Sequence, residues 1–261
     1  MPQEEKQKII KIIRELVIPE HYAGPPQIAN GGYICGLLAR YIAGAAEVTI
    51  KVPTPLDHPL QIGSREDGSF ILLNGNQVLV EARPCAFDLE IPEVPGFQEA
   101  VEAAKTSIAL QPSPYGVGNL RGIHPICFCC GADVPDGKGL KIHPGRLNGA
   151  GLVAAPWIPA KELGDGQGMV RPEFIWTVLD CPGAFAFMEL TSHRPGLSGR
   201  LIGRLDRPLQ VGDPCVVIAW PMDVEGKKLF AGSALVNSQG QVVGRVKATW
   251  IDRSFRVKNP S

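Results

Sequence analysis

The chain has 261 residues, and its 26 Lys and Arg residues balance its 26 Asp and Glu residues. This neutral composition excludes the basic surface that nucleic acids or acidic membranes attract, so we expect neither as a partner. No apolar run approaches the ~18 residues of a membrane span, and the first residues lack the layout of a signal peptide. Seven cysteines, an odd number, argue against a secreted disulfide framework. We therefore expect a cytoplasmic protein with reduced thiols.

The N-terminal residues 1–18 predict a short amphipathic helix. Isoleucines at positions 9, 10, 12 and 13 stand among lysines and glutamates, and Pro19 ends the pattern.

A second apolar stretch, Tyr33–Ala46, also has helical spacing and follows Gly31-Gly32. Asn30 is a suitable N-cap residue. Two glycines at a helix start allow a ligand or another backbone to approach closely, next to outward-pointing N–H groups. The pair therefore indicates a ligand-approach site.

Strand-like runs follow this helix, at residues 47–52, 59–62, 69–73 and 77–87. Asn74-Gly75-Asn76 is a hairpin signal between the last two runs. Residues 99–108 are typical of a short helix, and residues 111–122, rich in proline and glycine, are typical of a linker.

The same order of elements recurs beyond the linker. Residues 139–143 and 151–157 are strand-like, Pro172–Leu190 has helical periodicity, and four strand-like runs follow at 199–205, 213–220, 227–236 and 241–251. A helix followed by four strands, twice, indicates an internal duplication. The sequence thus predicts an α+β protein with an N-terminal unit at 19–110 and a C-terminal unit at 123–255.

The stretch Pro172–Leu190 contains one acidic residue within its apolar pattern. Asp180 lies two helical turns after Glu173, so the two carboxylates can share a side of the helix. Because Cys181-Pro182-Gly183 interrupts the pattern, Asp180 could be the N-cap of a second helical segment. The alternative is a catalytic carboxylate inside a helix that packs on a sheet.

Three motifs carry a family resemblance. The segment His124–Gly131, followed by Gly139-Leu140, is similar to the Cys-x-x-Cys-Gly…Gly-Leu opening of phenylacetyl-CoA-type hotdog thioesterases. Val178-Leu179-Asp180 matches the place of their catalytic aspartate, and Arg171–Gly183 with Gly244–Ile251 resembles a bacterial branch of the superfamily. The chain therefore resembles the double-hotdog acyl-CoA thioesterases, which implies a tandem hotdog, each half a central helix wrapped by an antiparallel sheet.

The resemblance implies hydrolysis of an acyl-CoA thioester at a composite site between the halves, with no cofactor beyond the coenzyme A of the substrate. Asp180 would act as general base or nucleophile, Gly32 would donate its N–H to the oxyanion, and Asn30 would orient the substrate. Glu173 would replace a lost group or simply complement the helix dipole. Gly31, Arg171 and Trp176 are candidate substrate-binding residues.

Departures from the family pattern leave alternatives open. Pro172-Glu173 replaces the glycine pair in the second half, and Ala39 occupies the acidic position in the first, so at most one complete site is expected. A non-catalytic module that binds an acyl thioester or another small ligand is the competing hypothesis. A hydratase ranks last, because no suitable Asp–His pair is present.

The cysteines allow a further alternative. Cys127, Cys129 and Cys130 have the spacing of a zinc knuckle, and His124 and His143 could add ligands. Since a second cysteine pair is absent, we expect no metal. Cys181 is expected to be a buried apolar residue. Exposed sheet edges or the tryptophan-rich second half predict assembly into a homo-oligomer.

Overall fold

A computed structural model describes residues 10–113 and 120–253. The first half contains β1 (Ile10–Val17), α1 (Gly31–Ala39), β2 (Ala46–Ile50), β3 (Pro59–Arg65), β4 (Phe70–Asn74) and β5 (Gln77–Pro84). The second contains α2 (Phe97–Ala104), β6 (Gly145–Leu147), β7 (Leu152–Trp157), α3 (Pro172–Leu190), β8 (Pro195–Leu205), β9 (Cys215–Glu225), β10 (Lys228–Val236) and β11 (Val242–Asp252).

All these strands form one antiparallel sheet in the order β1-β3-β4-β5-β2-β8-β11-β10-β9-β7-β6. The halves meet where β2 pairs with β8, from Ala46 opposite Gly203 to Thr49 opposite Arg200. Moving outward from this junction, β2, β5, β4, β3 and β1 correspond to β8, β11, β10, β9 and β7. The strand order of one half of the sheet is therefore repeated, reversed, in the other half.

Helices α1 and α3 lie side by side and antiparallel against the sheet. Gly32 at the start of α1 contacts the Thr177–Asp180 turn, whereas Gly36 contacts Glu173 and Trp176 near the start of α3. Both helices are buried on nearly every side. This arrangement brings a helix terminus from one half against the middle of the helix from the other.

The N-terminal helix prediction is wrong for the described residues. Residues 10–17 form β1, which pairs with β3 at the edge of the first half, and residues 1–9 lie outside the described residues. The β-branched isoleucines suit a strand, and the edge of the sheet supplies a pairing partner that local periodicity does not reveal.

Of the two alternatives for Asp180, the one with a helix break is wrong. Helix α3 runs without interruption from Pro172 to Leu190 and contains Pro182. Proline removes one backbone hydrogen bond, but the helix is packed against α1 and the sheet, so tertiary burial outweighs the local signal. Gly183 allows close packing, since a Cβ there would lie 3.0 Å from Trp250 Nε1.

Other boundaries differ as well. Residues 139–143 form no strand: the backbone N–H groups of Leu140 and Ile142 donate to Phe128 and Cys129, and the strand begins at Gly145. Of the predicted linker, residues 114–119 lie outside the described residues, and Pro112 bridges to Arg121.

Helix α2, which the sequence assigned to the N-terminal unit, packs instead on the second half. Its Ala100 and Ala103 are buried against Leu152, Ala154 and Ile218 of β7 and β9. The alternate residues of β7, Val153 and Ala155, belong to the main core. Because side chains alternate along a strand, α2 covers the opposite face of the sheet from α1 and α3.

Among the described residues, no helix is long and apolar enough to cross a membrane. Assembly into an oligomer stays a prediction.

Candidate functional site

The site is built around the N-terminus of α1. Asn30 is the N-cap, and its side-chain oxygen accepts the N–H of Tyr33 at 3.0 Å. Gly31 is the first helical residue, and the N–H groups of a first turn have no acceptor within the helix. Asn30 is 2% exposed. The expected cap is confirmed, and it fixes the helix terminus and its positive dipole end at one place.

Asp180 of α3 meets this terminus from the other half of the chain. Its carboxylate oxygen Oδ2 accepts the N–H of Gly32 at 2.8 Å. A Cβ on Gly32 would lie 2.7 Å from the Cβ of Asp180, from the Cα of Thr177 and from the carbonyl oxygen of Trp176. Only glycine therefore allows α1 and α3 to approach closely enough for this hydrogen bond.

Gly31 borders the same carboxylate. A Cβ at this position would lie 2.4 Å from the hydroxyl oxygen of Ser198 and 3.1 Å from Asp180 Oδ2. The space beside Gly31 is thus bounded by a hydroxyl, a carboxylate and a helix N-terminus. The two glycines therefore have distinct roles, since Gly32 allows helix contact and Gly31 keeps room beside Asp180.

A cavity of about 240 Å³ opens at this point. Its surface is mostly apolar, and its polar side chains are those of Asp180, Asn30, Ser198, Thr54, His124 and Lys51. The apolar lining comes from both halves: Pro25, Ile28, Ala29, Ile34, Ile50, Val52, Pro53, Leu197, Trp250 and Ile251. Such a pocket, apolar with a few convergent polar groups, is typical of a small-molecule site.

Burial dominates the electrostatics of Asp180. Its removal from water, reinforced by the neighbouring Cys181, raises the pKa of the Asp180 carboxyl well above its usual range, although the Gly32 N–H and the Ser198 hydroxyl favour the charged form. Within the described residues, its Oδ1 atom has no hydrogen-bond partner. The second carboxylate oxygen is therefore a buried acceptor whose hydrogen-bonding capacity is unmet within the described residues.

Cysteine side chains form the floor of the cavity. Cys127 and Cys181 both line it, and their sulfur atoms are 3.9 Å apart. The Asn30 amide Nδ2 donates to Cys127 Sγ at 3.5 Å and to Cys181 Sγ at 3.8 Å. Hydrogen bonds from neighbouring thiols, with that of Cys127 first, lower the pKa of Cys181 well below its usual range. Burial lowers the pKa of the neighbouring His124.

Three of the candidate residues do not line this cavity in the described part of the chain. Glu173 is buried beside Gly36 and pairs with Arg40 at 3.6 Å. Trp176 packs in the same place. Arg171 stacks on Phe174 and bonds the carbonyl of Glu162. These side chains stabilise the start of α3 instead of lining the cavity, so the structure does not bring them to the site with Asp180.

The structure adds residues that the sequence did not single out. Ser198 lies in β8 beside Asp180, and the hydroxyl of Thr54 is buried at the cavity without a partner among the described residues. Neither residue belongs to a motif, and the predicted strand began one position after Ser198. An isolated serine or threonine does not mark a site in a sequence. Ser198 and Thr54 come together only because β2 pairs with β8.

No protein-family model and no curated protein sequence matches the chain. Solved structures do match over nearly the full length. A proposed thioesterase II from Thermobifida fusca YX has a TM-score of 0.57 and 11% identity, covering 92% of this chain and 96% of that chain. A proposed thioesterase from Novosphingobium aromaticivorans DSM 12444 has a TM-score of 0.56 and 9% identity, covering 92% and 97%.

A hotdog-fold protein of unknown function from Alicyclobacillus acidocaldarius is similar in the same way, with a TM-score of 0.54, 9% identity and coverage of 96% and 97%. These similarities confirm the expected α+β class with a hotdog fold. At such low identities they carry the fold alone, and the reaction has to be argued from the site.

Proposed function

We propose that this hotdog protein hydrolyses an acyl-CoA thioester in the cavity at the N-terminus of α1, beside Asp180 of α3, at a site shared by two tandem hotdog units. The mirrored strand order about the β2–β8 junction supports the tandem arrangement. The observation that carries the activity is the hydrogen bond of 2.8 Å between the Asp180 carboxylate and the N–H of Gly32. It holds a carboxylate from one half at the helix terminus of the other.

The reaction follows from this geometry. The thioester carbonyl lies beside Gly31, where the first N–H of α1 and the helix dipole stabilise negative charge on its oxygen. Asp180 takes a proton from a water molecule, whose oxygen attacks the carbonyl carbon. The carbon–sulfur bond then breaks, and the coenzyme A thiolate leaves and accepts the proton. A carboxylic acid remains in the apolar part of the cavity.

The geometry changes one expected role. The Gly32 N–H, expected in the oxyanion hole, is occupied by Asp180 and acts as a positioning donor. The oxyanion donor is instead the N–H of Gly31, which borders the same space. Asn30, whose amide bonds two sulfur atoms, holds the helix terminus and the cavity floor together.

The experiment measures thiol release from short, long and aromatic acyl-CoAs by wild type, Asp180→Asn and the matched control Glu189→Gln. Glu189 lies on the same helix and accepts the N–H of Ile108, away from the cavity. We expect turnover of at least one member, a loss of about a hundredfold or more in Asp180→Asn, and little change in Glu189→Gln. Equal activity of wild type and Asp180→Asn would refute the assignment.

One observation favours a second function, binding without hydrolysis. Asp180 uses one oxygen to bond Gly32, and an anion at the helix terminus has to share this region with its carboxylate. A chain that binds an acyl-CoA saturably, as measured by calorimetry, and releases no thiol from the panel would be a binding module.

A further inference from the structure

Three cysteine sulfur atoms converge at one buried point beside the cavity. The Sγ atoms of Cys127, Cys130 and Cys181 all lie within 4.8 Å of one another. Each of the three residues is at most 7% exposed. Cys127 and Cys130 belong to one turn, and Cys181 comes from α3, 54 residues after Cys127. The fold thus supplies a third sulfur that the cysteine spacing alone does not show.

The turn that carries the first two sulfurs has the form of a metal-binding knuckle. Gly131 follows the pair and donates its N–H to the Cys127 carbonyl at 2.7 Å. A Cβ on Gly131 would lie 2.5 Å from the carbonyl oxygen of Pro125 and 2.6 Å from the Cys127 nitrogen, so only glycine closes this turn.

The sulfur spacing fits a shared ion. Zinc–sulfur bonds of about 2.3 Å in tetrahedral geometry place two sulfurs ~3.8 Å apart, and Cys127 Sγ lies 3.9 Å from Cys181 Sγ. A disulfide requires about 2.05 Å. The Asn30 amide donates to both of these sulfurs and would support them as ligands from outside the coordination sphere.

We propose that Cys127, Cys130 and Cys181 bind one zinc ion as a trithiolate site. Three soft ligands select zinc over hard cations such as magnesium. Binding converts the three thiols to thiolates and releases their protons to solvent. The fourth position opens toward the cavity, since Cys127 and Cys181 line it together with His124. The proposal does not depend on the proposed thioester hydrolysis.

The neighbouring Cys129 serves as a matched control. It is buried in the same turn, but its thiol donates to the carbonyl of Thr177 at 3.2 Å and lies outside the group of three. A second control is Cys215, which is buried in β9 and bonds the carbonyl of Asp213.

The test is the metal content of the full chain, purified under reducing conditions from zinc-supplemented cells. We expect about one zinc per chain in wild type, Cys129→Ser and Cys215→Ser. In Cys127→Ser and Cys181→Ser we expect a loss of at least fivefold, with circular dichroism used to verify the fold. A wild type that holds no zinc, or a Cys127→Ser variant that holds as much as wild type, would overturn the proposal.

A second measurement does not require variants. Metal-depleted wild type is titrated with Co²⁺, and the expected result is the sulfur-to-cobalt charge-transfer absorption and the intense visible bands of a tetrahedral thiolate site, both removed by added Zn²⁺. Uptake of Co²⁺ without charge-transfer absorption would refute sulfur ligation.

Discussion

Replacing Gly32 with alanine tests the contact on which the site depends. The added methyl group would lie 2.7 Å from three atoms of α3, whereas ordinary contacts begin near 3.4 Å. The helices would therefore have to separate by ~0.7 Å, the difference between these two distances. Overpacking of this kind costs about 1–3 kcal/mol, and the better helix propensity of alanine returns about 0.5–1 kcal/mol.

We therefore expect the free energy of unfolding of Gly32→Ala to fall by up to about 2.5 kcal/mol, which lowers Tm by up to roughly 10 °C. Activity toward the best acyl-CoA should fall further, by roughly tenfold to a hundredfold, because the separation moves the Asp180 carboxylate away from the terminus of α1. Differential scanning calorimetry and the thiol-release assay measure the two effects on the same preparation.

Gly36→Ala is the matched control. Its added Cβ would lie 2.5 Å from the Cα of Glu173, so it crowds the same helix pair one turn away from the cavity. We expect a similar loss of stability and a much smaller loss of activity. If Gly32→Ala were more stable than wild type, the helix contact would be wrong. If both variants lost activity equally, the contact between Gly32 and Asp180 would have no special role.

Three further predictions concern parts of the molecule outside the cavity. Burial lowers the pKa of His143 from 6.5 to about 4. Between these pH values the unfolded chain binds a proton that the folded chain does not, so the free energy of unfolding falls by on the order of 2 kcal/mol as the pH drops. Urea titrations should show a weaker dependence of stability on pH for His143→Gln than for wild type, and equal slopes would contradict the assignment. In Gly145→Ala the new Cβ would lie 1.8 Å from the carbonyl oxygen of Ala103. Overpacking of this kind should lower the free energy of unfolding by about 1–3 kcal/mol and lower Tm measurably. An unchanged Tm would show that α2 does not pack against Gly145. Arg40→Gln should lower the free energy of unfolding by on the order of 1–2 kcal/mol, since it leaves the buried Glu173 carboxylate without its cation. In denaturant titrations, the double variant Arg40→Gln with Glu173→Gln should regain most of that stability.

Much of the fold could be predicted from the chain because its signals are local. Helical periodicity located Pro172–Leu190 with the observed ends, and the Asn30-Gly31-Gly32 start marked α1. The turn at Asn74-Gly75-Asn76 separates β4 and β5 as expected. These features depend on capping, turn geometry and periodicity, which act within a few residues.

The errors arose where a distant partner outweighed the local pattern. The isoleucines of residues 10–17 became an edge strand because β3 was available to pair with them. Pro182 was accommodated inside a helix because α1 and the sheet bury that helix on nearly every side. Helix α2 packed on the second half because its alanines fit against β7.

For the candidate site, the sequence by itself determined the chemistry that was available: a carboxylate at Asp180, a glycine pair at a helix start and a cluster of thiols. Only the tertiary structure decided which of these groups meet. The antiparallel contact of α1 and α3 brings Asp180 to Gly32 and leaves Glu173 with Arg40. The same contact places Cys181 beside Cys127, although many residues separate them in the chain. Long-range juxtaposition of this kind depends on how two helices pack, and no local pattern encodes it.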